Sequence, residues 1–481
     1  MDEVIVENEK FYYNKVKYTL EDMMDEKFYI YSDEVVDKYK IDGILQNEIY
    51  YTFVQQVLAI CKFINDNKIK SIVLKDCSYK LSCFVLSAVE ISCINIKYNK
   101  SKFCFQHINT VIKGKFLYLA TIVYLFLKLL RAKYMGSPNI NVSTFSIVRL
   151  NQEYTKFGYF RENKDIWFDY ENIKSTLSNN QEVRKLGNVY NHFKSGKKIK
   201  WLVKAIKSSR KMLDSMTTML TSKINVYASY AARDFYVTRI MHTALYEQML
   251  DSYFKLYQGK KYITGKLIDR YGLIEDKMSK KYNVEIINYP HGIEYGFKLP
   301  YGFVGNKVFA TSKYASEYFN KIYKTDKFVY DYDSINILFN KIIDKKDNER
   351  KVVFFTEAHE QEVNIFILKE LQKRLKKYNI KLYIKPHPKE NINVYKQKFP
   401  DMTILSDFGE AITKNICLAR RSTILVEALY NKSIACSILV NSNDYSIYKF
   451  YPSLQDKSIN VFFNINDLTE FIKKHNNVEN I

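Results

Sequence analysis

The stretch that most constrains this chain lies between residues 351 and 439, where short apolar runs alternate with segments of helical period. KVVFF (351–355) reads as a buried strand. VNIFILKELQKRLKKY (363–378) follows with apolar residues spaced near 3.6 and basic residues in its last turns, where the helix dipole favours them. Strand IKLYIK (380–385), a proline-punctuated loop, a short helix to Phe399 and strand MTIL (402–405) come next. Strand NICLA (415–419), helix STILVEALYN (422–431) and strand SIACSIL (433–439) complete the run. Strands separated by helices pair in parallel and bury both faces of their sheet. Residues from about 300 to 460 are therefore expected to form one Rossmann-like domain.

The first half carries the same signals with more interruption. YYTFVQQVLAICKFIND (50–66) has the pattern of an amphipathic helix, and LIEDKMSKKY (273–282) reads as another. KSIVLK (70–75), ISCINIK (91–97), STFSIVR (143–149), DIWFDY (165–170), YITG (262–265) and VEIINY (284–289) read as strands. Helical insertions are expected near 105–135 and 175–258. The expected fold is α/β, with two Rossmann-like domains facing a cleft. Residues 1–295 would form the first and 306–462 the second, joined through the glycine-bearing GFKLPYGFVG (296–305). A last helix, NDLTEFIKKH (466–475) within the segment 463–481, is expected to return to the first domain.

A chain of 481 residues is long enough for such a pair, and 47% hydrophobic with 26% charged residues is the balance of a globular protein. No period of 20–50 residues recurs, which excludes a solenoid or propeller. The formal charge of +22 accompanies many Lys, Tyr, Ile and Asn residues, a pattern that AT-rich coding also produces. As an electrostatic device it would attract an anionic membrane face, a polyanionic acceptor or a nucleotide. Nucleic acid is not an expected partner, because the lysines are spread along the chain and no RNA-binding or zinc-finger signature occurs. Seven cysteines without a CxxC fit neither a disulfide frame nor a zinc site, and MDEVIVENEK lacks the pattern of a secretory signal. A cytoplasmic setting is expected. FLYLATIVYLFLKLL (116–130) is apolar apart from Lys128 and is flanked by Lys113, Lys115, Arg131 and Lys133. At 1.5 Å per residue it covers roughly 22 Å, short of a bilayer core of about 30 Å. Two readings stand: a buried core helix, or a helix lying in a membrane surface with its basic flanks on anionic head groups.

Four motifs follow strands, where open α/β sheets bind ligands. Lys385-Pro386-His387-Pro388 sets a cation and an imidazole in a stiffened loop, suited to a phosphate or leaving group. Arg421-Ser422-Thr423 opens a helix, with Ser422 as its expected N-cap and free N–H groups for an anion; Glu427 lies one turn on, within reach of a sugar hydroxyl. Tyr289-Pro290-His291-Gly292-Ile293-Glu294 offers His291 as a general base, with Glu294 orienting it or replacing it. Thr356-Glu357-Ala358-His359-Glu360 is the weakest motif, with Thr356 and Glu357 as nucleotide contacts and no spacing for zinc. The plain alternatives are a surface turn, a simple N-cap and a packed histidine.

The order FFTEAHEQE, long helix, strand, KPHP, acidic turn, strand, RSTILVEA resembles the C-terminal domain of bacterial GT-B glycosyltransferases of surface polysaccharides. These include sialyl- and polysialyltransferases with an HP motif, and the chain also resembles capsule-polysaccharide and CDP-glycerol glycerophosphotransferase groups. The resemblance covers about residues 260–440. It implies an inverting, metal-independent reaction with no cofactor, in which His387, Ser422 and Thr423 bind the donor phosphate. Sialyltransferases of this kind carry an acidic pair before a glycine where this chain has Pro290-His291-Gly292, which is closer to the polyol-phosphate and capsule groups. The resulting expectation is a membrane-peripheral enzyme on the inner face of the cell membrane, building capsule or lipooligosaccharide. Its donor would be a nucleotide-sugar, with a CMP-sugar such as CMP-sialic acid preferred, and its acceptor a glycan or lipid-linked glycan. Transfer of a polyol phosphate from a CDP-alcohol, or a non-catalytic place in an assembly complex, are the alternatives.

Overall fold

A computed structural model describes residues 3–149, 157, 160, 163–171, 186–289, 296–343, 350–358 and 361–476. The protein is mixed α/β, with several parallel sheets flanked by helices. It divides into two compact units: Met1–His291 with Phe297–Val308, and Gly292–Gly296 with Phe309–Ile481.

The first unit holds two sheets where the sequence promised one. Strands β1 (Glu3–Glu7), β2 (Lys10–Tyr13) and β3 (Val16–Tyr18) form an antiparallel meander that sequence reading missed. Its two-residue turns place Asn8, Glu9, Asn14 and Lys15 at positive φ, the geometry that fits the twist of a hairpin. On its other edge β1 pairs in parallel with β4 (Ser71–Leu74), which pairs with β5 (Asn95–Tyr98). Helix Tyr79–Ser92 joins β4 to β5 and takes in Ile91 and Ser92, which were expected in a strand. Ser78 caps its start through the Leu81 N–H at 3.2 Å, and Cys93 closes it in the left-handed region. Nine residues of this helix are buried, so its apolar run has no clear period to betray it.

Within this unit the second sheet includes β6 (Thr144–Val148), β7 (Ile166–Tyr170), β8 (Gly187–Asn188), β9 (Lys261–Thr264), β10 (Glu285–Asn288) and β11 (Lys307–Phe309). They run in parallel in the order β8-β7-β6-β9-β10-β11. In chain order that is 3-2-1-4-5-6, the doubly wound arrangement whose direction reverses between β6 and β9. Helices Ser195–Lys223, Val226–Tyr236 and Ile240–Leu256 occupy the stretch between β8 and β9. The last of them lays Tyr253, Phe254 and Tyr257 against Phe145 and Tyr262 in an aromatic core.

Helix Lys100–Arg131 runs for 32 residues, about 48 Å at 1.5 Å each, far beyond the apolar segment first marked. Of its most apolar 18 residues, 11% are buried, which removes the buried-core reading of 116–130. By length and composition alone it is the one described helix able to cross a membrane.

The second unit alternates strand and helix without a break. Strand β12 (Phe328–Val329) and helices Lys313–Tyr323 and Tyr332–Phe339 precede a sheet of β13 (Val352–Phe355), β14 (Leu382–Lys385), β15 (Thr403–Ile404), β16 (Ile416–Ala419), β17 (Ile434–Ile438) and β18 (Ile459–Phe462). All pairings in that sheet are parallel, in the order β15-β14-β13-β16-β17-β18. This is 3-2-1-4-5-6 once more, with its reversal between β13 and β16. The two central strands are buried at every residue, as a sheet covered on both faces requires. Helix Ile465–Asn476 was expected to return to the first domain; instead Ile465, Leu468 and Ile472 join the core of the second unit, beside helix Gln361–Leu375.

Candidate functional site

At a reversal of strand order, adjacent strands send their following loops to opposite faces of the sheet, and a crevice opens at their carboxyl ends. In the second unit those strands are β13 and β16, so the crevice is framed by Thr356-Glu357 and by Arg420-Arg421-Ser422. The Pro-His loop after β14 adjoins it on one side, because β14 is the other neighbour of β13.

Thr356 fastens that loop. Its N–H donates to the Lys385 carbonyl at 3.1 Å, its hydroxyl donates to Glu390 Oε2, and its Oγ1 accepts the His387 N–H at 2.9 Å. Tyr395 donates to Glu390 Oε1 at 2.7 Å, and Asn364 Nδ2 reaches the same oxygen at 3.3 Å and the Glu357 carbonyl at 2.9 Å. Both donors of Thr356 are thus spent on the loop, so it positions neighbours where direct nucleotide contact was expected. The Lys389 N–H donates to His387 Nδ1 at 3.1 Å. In the neutral imidazole this leaves the proton on Nε2, the nitrogen that would meet a ligand oxygen. Pro386 and His387 are half-buried.

Lys385 turns elsewhere. Its Nζ donates to the Ser406 carbonyl in the loop after β15, beside Asp407, and burial lowers its pKa against the pull of that carboxylate. It therefore sits on the β15 side of β14, opposite the crevice, and does not join His387 as the motif had implied.

Across the crevice, four charged side chains interlock. Arg420 is fully buried, with Nη2 2.8 Å from Asp444 Oδ1 and Nη1 3.8 Å from Glu357 Oε2. Arg421 keeps 10% exposure, its Nε 3.4 Å from Asp444 Oδ1 and 4.0 Å from Glu357 Oε2. The Arg421 N–H donates to Glu357 Oε1. Burial raises the pKa of Glu357, and the two guanidiniums oppose that rise. Glu357 is accordingly a counter-ion that fixes the arginines. The Val440 N–H donates to Asp444 Oδ2 at 3.2 Å, and the Asp444 N–H donates to Asn441 Oδ1 at 2.7 Å.

Ser422 does not cap the following helix. That helix is Ile424–Tyr430, seven residues with Thr423 at its N-cap in a helical conformation and no capping side chain. Ser422 Oγ accepts from the Ile424 N–H at 3.4 Å, a weak contact. A helix this short leaves Arg421 as the main charge offered at this loop. Glu427 is half-buried one turn in, its N–H donating to the Thr423 carbonyl at 3.0 Å. His291 and Glu294, the expected base and its partner, lie outside the described residues, as do His359 and Glu360. Among the described residues no group of three or more His, Cys, Asp or Glu side chains could hold a metal ion.

Sequence reading missed Arg420, Glu390 and Asp444, and it also missed a matching cluster in the first unit. There the reversal falls between β6 and β9, followed by Arg149 and Lys266. Arg149 Nε lies 3.1 Å from Glu171 Oε2, and its guanidinium stacks 3.3 Å over the Tyr271 ring. Lys266 Nζ lies 2.7 Å from Glu275 Oε1, whose carboxylate also accepts from Tyr246, Tyr262 and Thr264 at 2.7–2.8 Å. These side chains fill and neutralise that crevice, whereas the second unit's keeps Arg421 and His387 at its edge. A basic residue directly after a strand was the available signal in both cases.

The chain matches no protein-family model, and no curated protein matches it.

Proposed function

We propose that this protein is a metal-independent glycosyltransferase of the GT-B kind that uses a nucleotide-activated sugar, with its donor phosphate at the β13/β16 crevice of the second unit. One observation carries the reading: at the reversal of a 3-2-1-4-5-6 sheet Arg421 is braced by the buried Asp444, and His387, from a different loop, is held through its backbone N–H by Thr356 and the half-buried Glu390. Two parallel sheets of that order in one chain support the GT-B assignment.

In this reading Arg421 meets the phosphate with charge-assisted hydrogen bonds, and His387 Nε2–H donates to the oxygen that gains charge as the glycosyl bond breaks. Braced donors need no reorganisation as that charge develops, so the Arg421 cation and the His387 Nε2–H donor together supply what a metal would. An acceptor hydroxyl attacks the anomeric carbon from the opposite side, its proton passing to a base, and the configuration inverts. His291 is the residue assigned to that base by its place after β10. Cytidine nucleotides are the preferred donors on the strength of the sequence resemblance. The Pro290-His291-Gly292 segment favours a second reading, transfer of a polyol phosphate from a CDP-alcohol, which the mass of the product separates from glycosyl transfer.

The test is calorimetric titration with CMP, CDP, UDP and GDP. A single cytidine nucleotide class should bind, and Arg421→Ala should weaken it by about 10–100-fold, the value of one or two charge-assisted hydrogen bonds. Unaltered circular dichroism would show that the variant still folds. Absence of binding by every nucleotide to folded protein would refute the reading and favour the assembly-subunit alternative.

A further inference from the structure

The long helix Lys100–Arg131 has two unlike faces. Phe103, Gly114, Leu125 and Leu129 are buried, Gly114 lies against Val237, and the Tyr118 hydroxyl lies 2.8 Å from Ser209 Oγ. One face is thus packed along the helix on other helices of its own unit. On the opposite face Phe105, Ile108, Ile112, Phe116, Leu119 and Val123 recur at spacings of three and four, each 57–72% exposed. Such a continuous apolar stripe is uncommon on a surface that meets only water.

The charges around the stripe say what covers it. At about 100° per residue, Lys115 falls on one border of the stripe and Lys113 and Arg131 on the other, all three exposed. No Asp or Glu occurs between residues 100 and 131. Helix Ser195–Lys223, packed beside it, exposes Lys200, Lys204 and Lys207. A spanning position is inconsistent with a helix packed on one side along its length. A second copy of this face would set lysine borders against lysine borders. An anionic bilayer surface satisfies both parts, taking the apolar stripe among its acyl chains and the lysines among its head groups.

We propose that helix Lys100–Arg131 is an interfacial membrane seat, lying in the plane of an anionic bilayer with the Phe105–Val123 stripe inserted. Different residues carry it from those of the nucleotide site, so the two can fail separately.

Flotation of the full chain with phosphatidylcholine vesicles, with and without phosphatidylglycerol, tests it. The protein should float with the anionic vesicles and be released by salt, since the attraction is screened beyond about 10 Å at 0.1 M. The exposed-face variant Phe116→Ser/Leu119→Ser/Val123→Ser should lose at least about tenfold in partitioning, with circular dichroism and nucleotide affinity unchanged. Lys113→Glu/Lys115→Glu should lose the preference for anionic vesicles. Wild-type protein that floats with neither vesicle, or a triple serine variant that floats like wild type, would overturn the proposal. So would a dimer, seen by ultracentrifugation without lipid, that the triple variant dissociates; it would assign the face to a second copy.

Discussion

Arg420 and Arg421 are neighbours in sequence with different tasks. The first is sealed against Asp444 and Glu357, while the second is braced by the same carboxylates at the edge of the crevice. Arg421, His387 and the strand-end position of both were legible, because each follows an apolar run in a short polar motif. Their supports were not. The Arg421–Glu357 bond spans 64 positions and the Arg420–Asp444 pair 24, separations at which no local pattern operates. Thr356 shows the same limit, since its hydroxyl looks like a ligand contact until the loop that uses it is in place. Thr356→Val removes the acceptor of the His387 N–H and a donor to Glu390. It should cost about 1–3 kcal/mol in denaturant unfolding and weaken nucleotide binding, with Thr356→Ser restoring both. Unchanged stability and affinity in the valine variant would rule out the bracing role.

At the scale of elements, the second unit was readable because its strands are short, apolar and separated by helices of clear period. The first unit was harder for physical reasons. Helix Tyr79–Ser92 is buried on most sides and loses its period, and the N-terminal meander turns on Asn-Glu and Asn-Lys pairs in place of glycine. Sheet membership is a matter of pairing across long separations, so six predicted strands gave no sign of dividing between two sheets. Helix Arg270–Tyr282 permits a sharper test. Its N-cap, Asp269, accepts the Gly272 N–H at 2.8 Å, and burial, with Glu48 next, pushes its pKa up to about 6 from 3.8. A carboxyl raised in the folded state stabilises the fold below its unfolded pKa, and that contribution is lost as pH rises through about 6. Asp269→Asn keeps a capping oxygen without the charge. Relative to wild type it should therefore gain about 1–3 kcal/mol between pH 4 and pH 8, read by unfolding at both. A variant that loses ground toward pH 8 would show that the ionised form is the stabilising one.

For the whole molecule, two chain segments build parallel sheets of the same order, and each ends a central strand on a basic residue at its reversal. One crevice is filled by its own tyrosines and carboxylates; the other presents a braced arginine and a histidine. The net charge of +22 is uninformative as a sum, and becomes informative only at particular positions, such as Lys113, Lys115 and Arg131 beside the apolar stripe of the long helix. The class of fold followed from the alternation of strands and helices, whereas the division of labour between the two crevices needed the pairing of distant residues. The central claim is that a nucleotide donor binds at the β13/β16 crevice. Hydrogen–deuterium exchange of the full chain, with and without a saturating cytidine nucleotide, tests it most directly. The account predicts slowed exchange in the segments 351–358, 383–391 and 418–428, lost in Arg421→Ala. Slowing confined to the loops after β6 and β9, with those three segments unchanged, would contradict it.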